Sequence, residues 1–253
     1  MPTAGVEFAK VSYTPAGGPS ILREISLSLA AGTTTALLGR SGSGKTTLLR
    51  TVNGLVRPTS GEVTVNGQSV TSLSSSEELV VLRRGIGYVI QETGLFPHMT
   101  IERNAGFGLE LADRPKAEIA ARAREVLQQS GLDYDALRER FPWQLSGGQR
   151  QRVGLARALA LAPPVLLMDE PFGALDPLTR SEMQAMFKSM QQQLHKTVLL
   201  VTHDLGEALF LADRVVIIDS GEVVADLHSA EVFESENLHV KDYVSAVRHL
   251  FAK

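Results

Sequence analysis

The amino-acid sequence predicts an α/β fold, a largely parallel sheet flanked by helices and interrupted by a helical insertion. Short, continuous apolar runs alternate with segments of helical periodicity, the pattern of strands covered on both faces. A glycine-rich segment, GRSGSGKTT at residues 39–47, lies between one such run and a helix. From residue 101 to residue 134 β-type runs disappear, so about 93–145 reads as the insertion.

The elements follow in order. Residues 7–11 and 25–29 alternate apolar and polar side chains, as half-buried strands do, across a loop at 14–20 that contains Pro and Gly. Residues 33–38 form a buried strand running into the glycine segment. After Lys45, the apolar residues Leu48, Leu49, Val52 and Leu55 keep helical spacing, and Asn53-Gly54 stands where that helix ends. Residues 62–65 with the turn Asn66-Gly67 suggest a hairpin, and 86–90 a further short strand. Within the insertion, Ile119, Ala120, Ala123, Val126 and Leu127 share one helical face that stops at Ser130-Gly131. A helix over 147–162 is expected to stop at Pro163-Pro164, and a buried strand to follow at 165–168. Asp176-Pro177 caps and starts a helix carrying Met183, Met186, Phe187, Met190 and Leu194 on one side, a packing stripe rather than a metal or cofactor stripe. Strands at 197–201 and 215–218 flank a helix at about 205–212. The expected division is a core of about residues 1–92 and 146–228, a helical subdomain of 93–145 and a C-terminal helical tail of 229–253.

The bulk composition narrows the function classes. With 253 residues, 43% hydrophobic and 21% charged, the chain has the make-up of an ordinary globular protein with a substantial core. A net charge of −3 and no basic tract give no electrostatic case for a nucleic-acid partner. The absence of cysteine excludes disulfides, thiolate catalysis and cysteine metal sites, and agrees with a reducing cytoplasm. No run approaches the ~18 apolar residues of a membrane span, and MPTAGVEFAK lacks the basic start and apolar run of a secretory signal. The chain therefore reads as soluble, acting at a membrane only through a partner.

The chemistry concentrates in a few segments. Residues 39–47 match the phosphate-loop pattern: Gly39, Gly42 and Gly44 let the backbone of Arg40, Ser41, Ser43 and Thr47 wrap phosphate, with a helix dipole behind. Lys45 would reach the β- and γ-phosphates and the Thr46 hydroxyl would ligate Mg²⁺. VLLMDE ends a buried strand in two carboxylates, Asp169 toward Mg²⁺ and Glu170 toward the attacking water, as general base or as its positioner. His203 follows an apolar strand at the edge where ligands bind, suited to a γ-phosphate contact. Gln91 ends the strand IGYVI. LSGGQ at 145–149 opens a helix: Ser146 can cap it, and Gly147, Gly148 and Gln149 expose backbone N–H groups to an anion. An ordinary capped helix start would look the same in this pentapeptide alone.

Together, GRSGSGKTT, Gln91, LSGGQ, VLLMDE, ALD at 174–176 and His203 resemble the nucleotide-binding subunit of an ATP-binding cassette (ABC) transporter, with every motif in order over nearly the whole chain. The resemblance implies a P-loop NTPase core with a largely parallel sheet, an antiparallel β subdomain and a helical insertion. It implies ATP and Mg²⁺ held by Lys45 and Thr46, Gln91 sensing metal and partner, and hydrolysis run by Asp169 and Glu170. Asp176 would communicate between subunits, His203 contact the γ-phosphate, and Tyr13 of KVSY stack on adenine. It also implies a head-to-tail homodimer in which Ser146, Gly147, Gly148 and Gln149 of one copy close over the ATP of the other. Integral membrane permease subunits and an extracellular solute-binding protein would be the partners, placing the chain on the cytoplasmic face of the cell membrane.

A narrower likeness lies in RRGIGYVIQETGLFPHMTIERN, which is similar to subunits of importers for quaternary amines such as glycine betaine, choline and carnitine. An importer of polar amino acids or another small solute is the alternative, followed by an exporter and by a soluble ABC ATPase of DNA repair or translation. Many members of the quaternary-amine group carry a C-terminal pair of regulatory modules; no such pair falls within these residues, which leaves regulation through them open. FPWQ before LSGGQ, with Trp143, departs from the more usual charged residue, and Trp143 is not read as a cation cage. TGLFPHMT at 93–100 is a candidate docking surface, with Phe96 and Met99 as apolar contacts or, equally, as local packing.

Overall fold

The computed structural model of the protein describes residues 4–251. They divide into two compact units, one running up to Leu82 and resuming at Lys196, the other Arg83–His195.

The first unit holds two sheets. Strands β1 (Ala4–Tyr13), β2 (Leu22–Ala30), β4 (Ser60–Val65) and β5 (Gln68–Ser69) form an antiparallel sheet in the order β2-β1-β4-β5. The alternating burial of β2 shows why its period-two pattern was legible. Strand β3 (Thr34–Leu38) pairs in parallel with β8 (Thr197–Thr202) on one side and β9 (Arg214–Asp219) on the other. All residues of β3 and β8 are buried, and each fully buried Val or Leu contributes roughly 1.5–3 kcal/mol. Helix α1 (Lys45–Val52) follows the glycine segment, burying Leu48, Leu49 and Val52. Helices α8 (Leu205–Leu211) and α9 (Leu238–Phe251) join a core cluster containing Leu38, Ala208, Ile217 and Val240.

Two elements outside the sequence expectation bury one residue each. Strand β10 (Glu222–His228) pairs antiparallel with β9 and buries only Ala225. Helix α2 (Ser76–Arg84) buries only Leu82. Its start is nonetheless written in the sequence: Ser75 Oγ accepts from Glu78 N, and the Glu78 carboxylate accepts from Ser74 and Ser75 N–H, a reciprocal cap.

The second unit contains the parallel pair β6 (Ile86–Val89) and β7 (Val165–Asp169). Its helices are α3 (Ile101–Glu110), α4 (Lys116–Gln129), α5 (Tyr134–Leu137), α6 (Gly147–Leu159) and α7 (Pro177–Leu194). Helix α6 packs against α3, α4, α7 and β6 and is the spine of this unit. It ends at Leu159, short of the expected 162. Ala162, directly before Pro163, takes a left-handed φ of 51°, outside the right-handed helical region that a following proline disfavours, and Arg122 donates to the carbonyls of Leu159 and Ala160, both at 3.0 Å. The expected stripe on α7 is present, with Met183, Phe187 and Met190 buried. Met99 is buried and packs inward, while the half-buried Phe96 ring packs 4.7 Å from that of Phe107. Among the described residues no helix is long and apolar enough to cross a membrane.

Candidate nucleotide-binding site

In the first unit Leu38 at the end of β3 pairs with Thr202 at the end of β8. Residues 39–47 and His203 therefore leave neighbouring parallel strands at their C-terminal ends, the edge where open α/β sheets bind ligands. The glycines are required by the backbone. Gly42 and Gly44 take φ 81° and 104°, and a Cβ on Gly39 would stand 2.3 Å from the Ile218 carbonyl oxygen. Lys45, buried at the first position of α1, lies back across the loop: its Nζ donates to the carbonyls of Gly39 and Arg40, each at 2.8 Å.

Ser43 Oγ is buried without a hydrogen-bond partner among the described residues. An orphaned hydroxyl costs about 1–3 kcal/mol, and at a helix N-terminus a phosphate oxygen is the natural acceptor. The loop thus fits a nucleotide phosphate on its own geometry. Thr46 and Thr47 are half-buried in the first turn of α1, while Arg40 and Ser41 are exposed. Tyr13 is half-buried at the end of β1, its carbonyl accepting from Ile21 N–H at 2.8 Å.

In the second unit Val89 pairs with Met168, so Gln91, Asp169 and Glu170 leave the same end of β6 and β7. Asp169 is buried and Tyr88 Oη donates to its Oδ2 at 3.3 Å. Glu170 takes φ 46°, a left-handed conformation rare outside glycine and characteristic of strained functional turns. Gln91 is exposed. Among the described residues no cluster of three or more His, Asp or Glu side chains forms a protein-only metal cage. Taken singly, the Thr46 hydroxyl in the first unit and the Asp169 carboxylate in the second are each a hard oxygen donor of the kind Mg²⁺ prefers.

The residues of LSGGQ also come together, at the exposed start of α6. Ser146 Oγ accepts from Gln149 N–H at 3.2 Å and Gln149 Oε1 accepts from Ser146 N–H at 3.0 Å, a full capping box. Gly148 is buried, and a Cβ there would lie 2.5 Å from Thr179 Cγ2; around Gly147 there is open space. A cavity of about 470 Å³ borders this turn, lined by Ser146, Gly148, Gln149, Arg140 and Arg152. Asp176 caps α7, accepting from Thr179 N–H at 3.1 Å, and its hydrogen bonds with Thr179 hold its carboxyl below the usual range. Trp143, 71% exposed, stacks on Phe141.

Four polar side chains beside these motifs escaped the sequence reading: Tyr88, Asn104, Gln151 and Arg157. Asn104, fully buried, accepts from Phe96 N–H at 2.8 Å and donates to the carbonyls of Phe96, Met99 and Thr100, bracing the loop after Gln91. Nothing local distinguishes it from a helix-surface asparagine; only the fold brings that loop to it.

A family model described as ABC transporter matches residues 22–173. The chain is 46% identical over 214 residues to the choline transport ATP-binding protein OpuBA of Bacillus subtilis, covering 85% of this chain and 55% of that one. It is also 46% identical over 220 residues to the sulfate/thiosulfate import ATP-binding protein CysA of Mycobacterium tuberculosis, covering 87% of this chain and 60% of that one. The chain thus spans little more than half the length of these curated relatives. Among solved structures, the dimeric ATP-binding cassette MJ0796 in a post-hydrolysis state with ADP and Pi superposes with a TM-score of 0.80 at 35% identity, covering 88% of this chain and 98% of that one.

Proposed function

Because the chain belongs to the ABC transporter family, we propose that it is the ATP-hydrolysing, energy-coupling subunit of an importer for quaternary amines such as choline, glycine betaine or carnitine. The observation that carries the ATPase reading is the loop at 39–47, whose glycines, buried Lys45 and orphaned Ser43 hydroxyl suit a nucleotide phosphate. In this reading Lys45 Nζ exchanges its carbonyl contacts for the β- and γ-phosphates, the amides of residues 39–47 surround them, and the Tyr13 ring stacks on adenine. Thr46, Asp169 and the Gln91 amide oxygen would hold Mg²⁺, which when bound neutralises phosphate charge. Glu170 orients the attacking water and accepts its proton; His203 contacts the γ-phosphate.

The turn from Ser146 to Gln149 of a second copy completes each site, giving a homodimer with two shared nucleotides. The dimeric MJ0796 structure supports that assembly. In functional terms the chain divides into a core of about residues 1–92 and 146–228, a helical subdomain of about 93–145 and a tail of 229–253. Permease subunits and an extracellular binding protein are the partners, on the cytoplasmic face of the membrane, with no nucleic acid.

The likeness to OpuBA supports a quaternary-amine cargo. Equal identity to CysA favours a second reading, an importer of another small solute. The test is to co-purify the chain with its membrane partners and measure ATPase stimulation by choline, betaine and carnitine against sulfate and polar amino acids. Stimulation only by sulfate or amino acids rejects the first cargo, and recovery with ribosomes or DNA rejects the transporter role.

A further inference from the structure

Helix α6 makes two side-chain contacts that the functional reading leaves unused. Arg157 donates through Nη1 to the Gly94 carbonyl and through Nη2 to the Thr93 carbonyl, both at 2.8 Å. Its guanidinium also lies 5.8 Å from the centre of the Phe96 ring. Six residues nearer the start of the helix, the buried Gln151 donates to the Pro171 carbonyl, directly after Glu170. One rod therefore carries the LSGGQ turn at its tip and grips both the loop after Gln91 and the turn after Glu170. Arg157 stands ten residues beyond Gly147, about 15 Å along a helix axis.

The grip on the Gln91 loop is specific. A guanidinium presents its N–H groups as a rigid fork, which here matches two successive carbonyls. Those carbonyls belong to Thr93 and Gly94, at φ 30° and 55°. A threonine in that region is strained by about 1–3 kcal/mol and persists only where its surroundings over-determine it. Burial, which pushes the Arg157 pKa down, marks the group as taken out of water to make these contacts.

We propose that Arg157 is a positioning residue that fastens the Gln91 loop to the signature helix, so that engagement of the LSGGQ turn by a partner's nucleotide sets Gln91 in the same subunit. The inference rests on the ATPase reading above. It assigns no contact between Arg157 and nucleotide; the arginine acts through Gln91.

A double-mutant cycle tests it in the full chain. Arg157→Met should lower kcat for ATP hydrolysis roughly tenfold, the scale of a displaced positioning group, while fluorescent-nucleotide affinity stays within about twofold because Lys45 is untouched. Combined with Gln91→Ala, it should add nothing to the loss of the Gln91 variant alone. Arg157→Lys, with one ammonium nitrogen in place of the two-nitrogen fork, should recover part of kcat and carries the cycle if the methionine variant does not fold. Multiplying losses in the double variant, or an unchanged kcat at saturating ATP, would overturn the proposal.

A second readout does not depend on turnover. The chain has no cysteine, so spin labels at Pro97→Cys and Trp143→Cys report the loop against the start of α6. A single narrow distance should broaden on Arg157→Met or Arg157→Lys, and an unchanged distribution would also overturn the proposal. A wild-type chain that hydrolyses no ATP yet shows the broadening would instead fault the functional reading.

Discussion

The chain's two glycine segments do opposite things with the same residue. In residues 39–47 each glycine answers to its own chain: φ 81° at Gly42, φ 104° at Gly44, and a carbonyl 2.3 Å from where a Gly39 Cβ would stand. In LSGGQ the backbone is ordinary helix start, and only Gly148 has a neighbour, Thr179, that a Cβ would strike. Gly147 has no internal reason to be glycine. A residue kept bare where its own fold allows a side chain points to close approach from outside, as a shared nucleotide would make.

The two segments should therefore fail differently when changed. The largest effect is expected at Glu170→Gln, which should lower kcat about 10²–10⁴-fold, the range for loss of an acid–base group, while ATP binding persists. Light scattering at saturating ATP should then find a stable dimer; a strictly monomeric variant breaks the shared-site argument. Lys45→Ala should weaken nucleotide affinity about 10- to 100-fold, corresponding to one charge-assisted hydrogen bond of about 1.5–3 kcal/mol. Equilibrium titration checks it, and an effect on kcat alone would remove Lys45 from ground-state binding.

Next come the two signature glycines. Gly147→Ala should leave unfolding free energy within about 1 kcal/mol of wild type yet depress hydrolysis by the dimer. Gly148→Ala should destabilise the fold by about 1–3 kcal/mol through overpacking on Thr179. Denaturant unfolding and ATPase rates measured side by side separate them; equal stability loss in both would erase the contrast.

The smallest expected effect is at Asp176. Its folded carboxyl lies below the usual range because Thr179 hydrogen-bonds it. The stabilisation is thus fully present above the ordinary Asp pKa of about 3.9 and is lost as pH falls through the lowered folded value. Asp176→Asn should flatten that acid-side slope, read by unfolding between about pH 5 and pH 2; an unchanged slope would remove the cap from the account.

Elements were legible where periodicity was strong. Strands β3, β7 and β8 are buried throughout and centre on apolar runs, and α7 announces itself through Asp176-Pro177 and its buried methionines. Strand β10 was not, because an edge strand burying one residue leaves no alternation to read. Helix α6 ends three residues earlier than expected: the pre-proline restriction takes Ala162 out of the helix, and Arg122, remote in the sequence, takes up the carbonyls of Leu159 and Ala160. Motif residues were found because their spacing along the chain is itself the signal. Asn104, Gln151 and Arg157 were missed because each bonds a backbone carbonyl belonging to another segment, and a carbonyl has no identity in a sequence.

The sequence alone determined the fold class, the family and the inventory of phosphate-handling groups, since each is written in local order: strand, glycines, lysine, helix. Tertiary structure decided which glycine serves the fold and which faces outward. It also decided that Met99 packs inward and that one arginine joins the Gln91 loop to the signature helix. Those outcomes depend on distances between segments remote in the chain, which packing sets and composition does not encode.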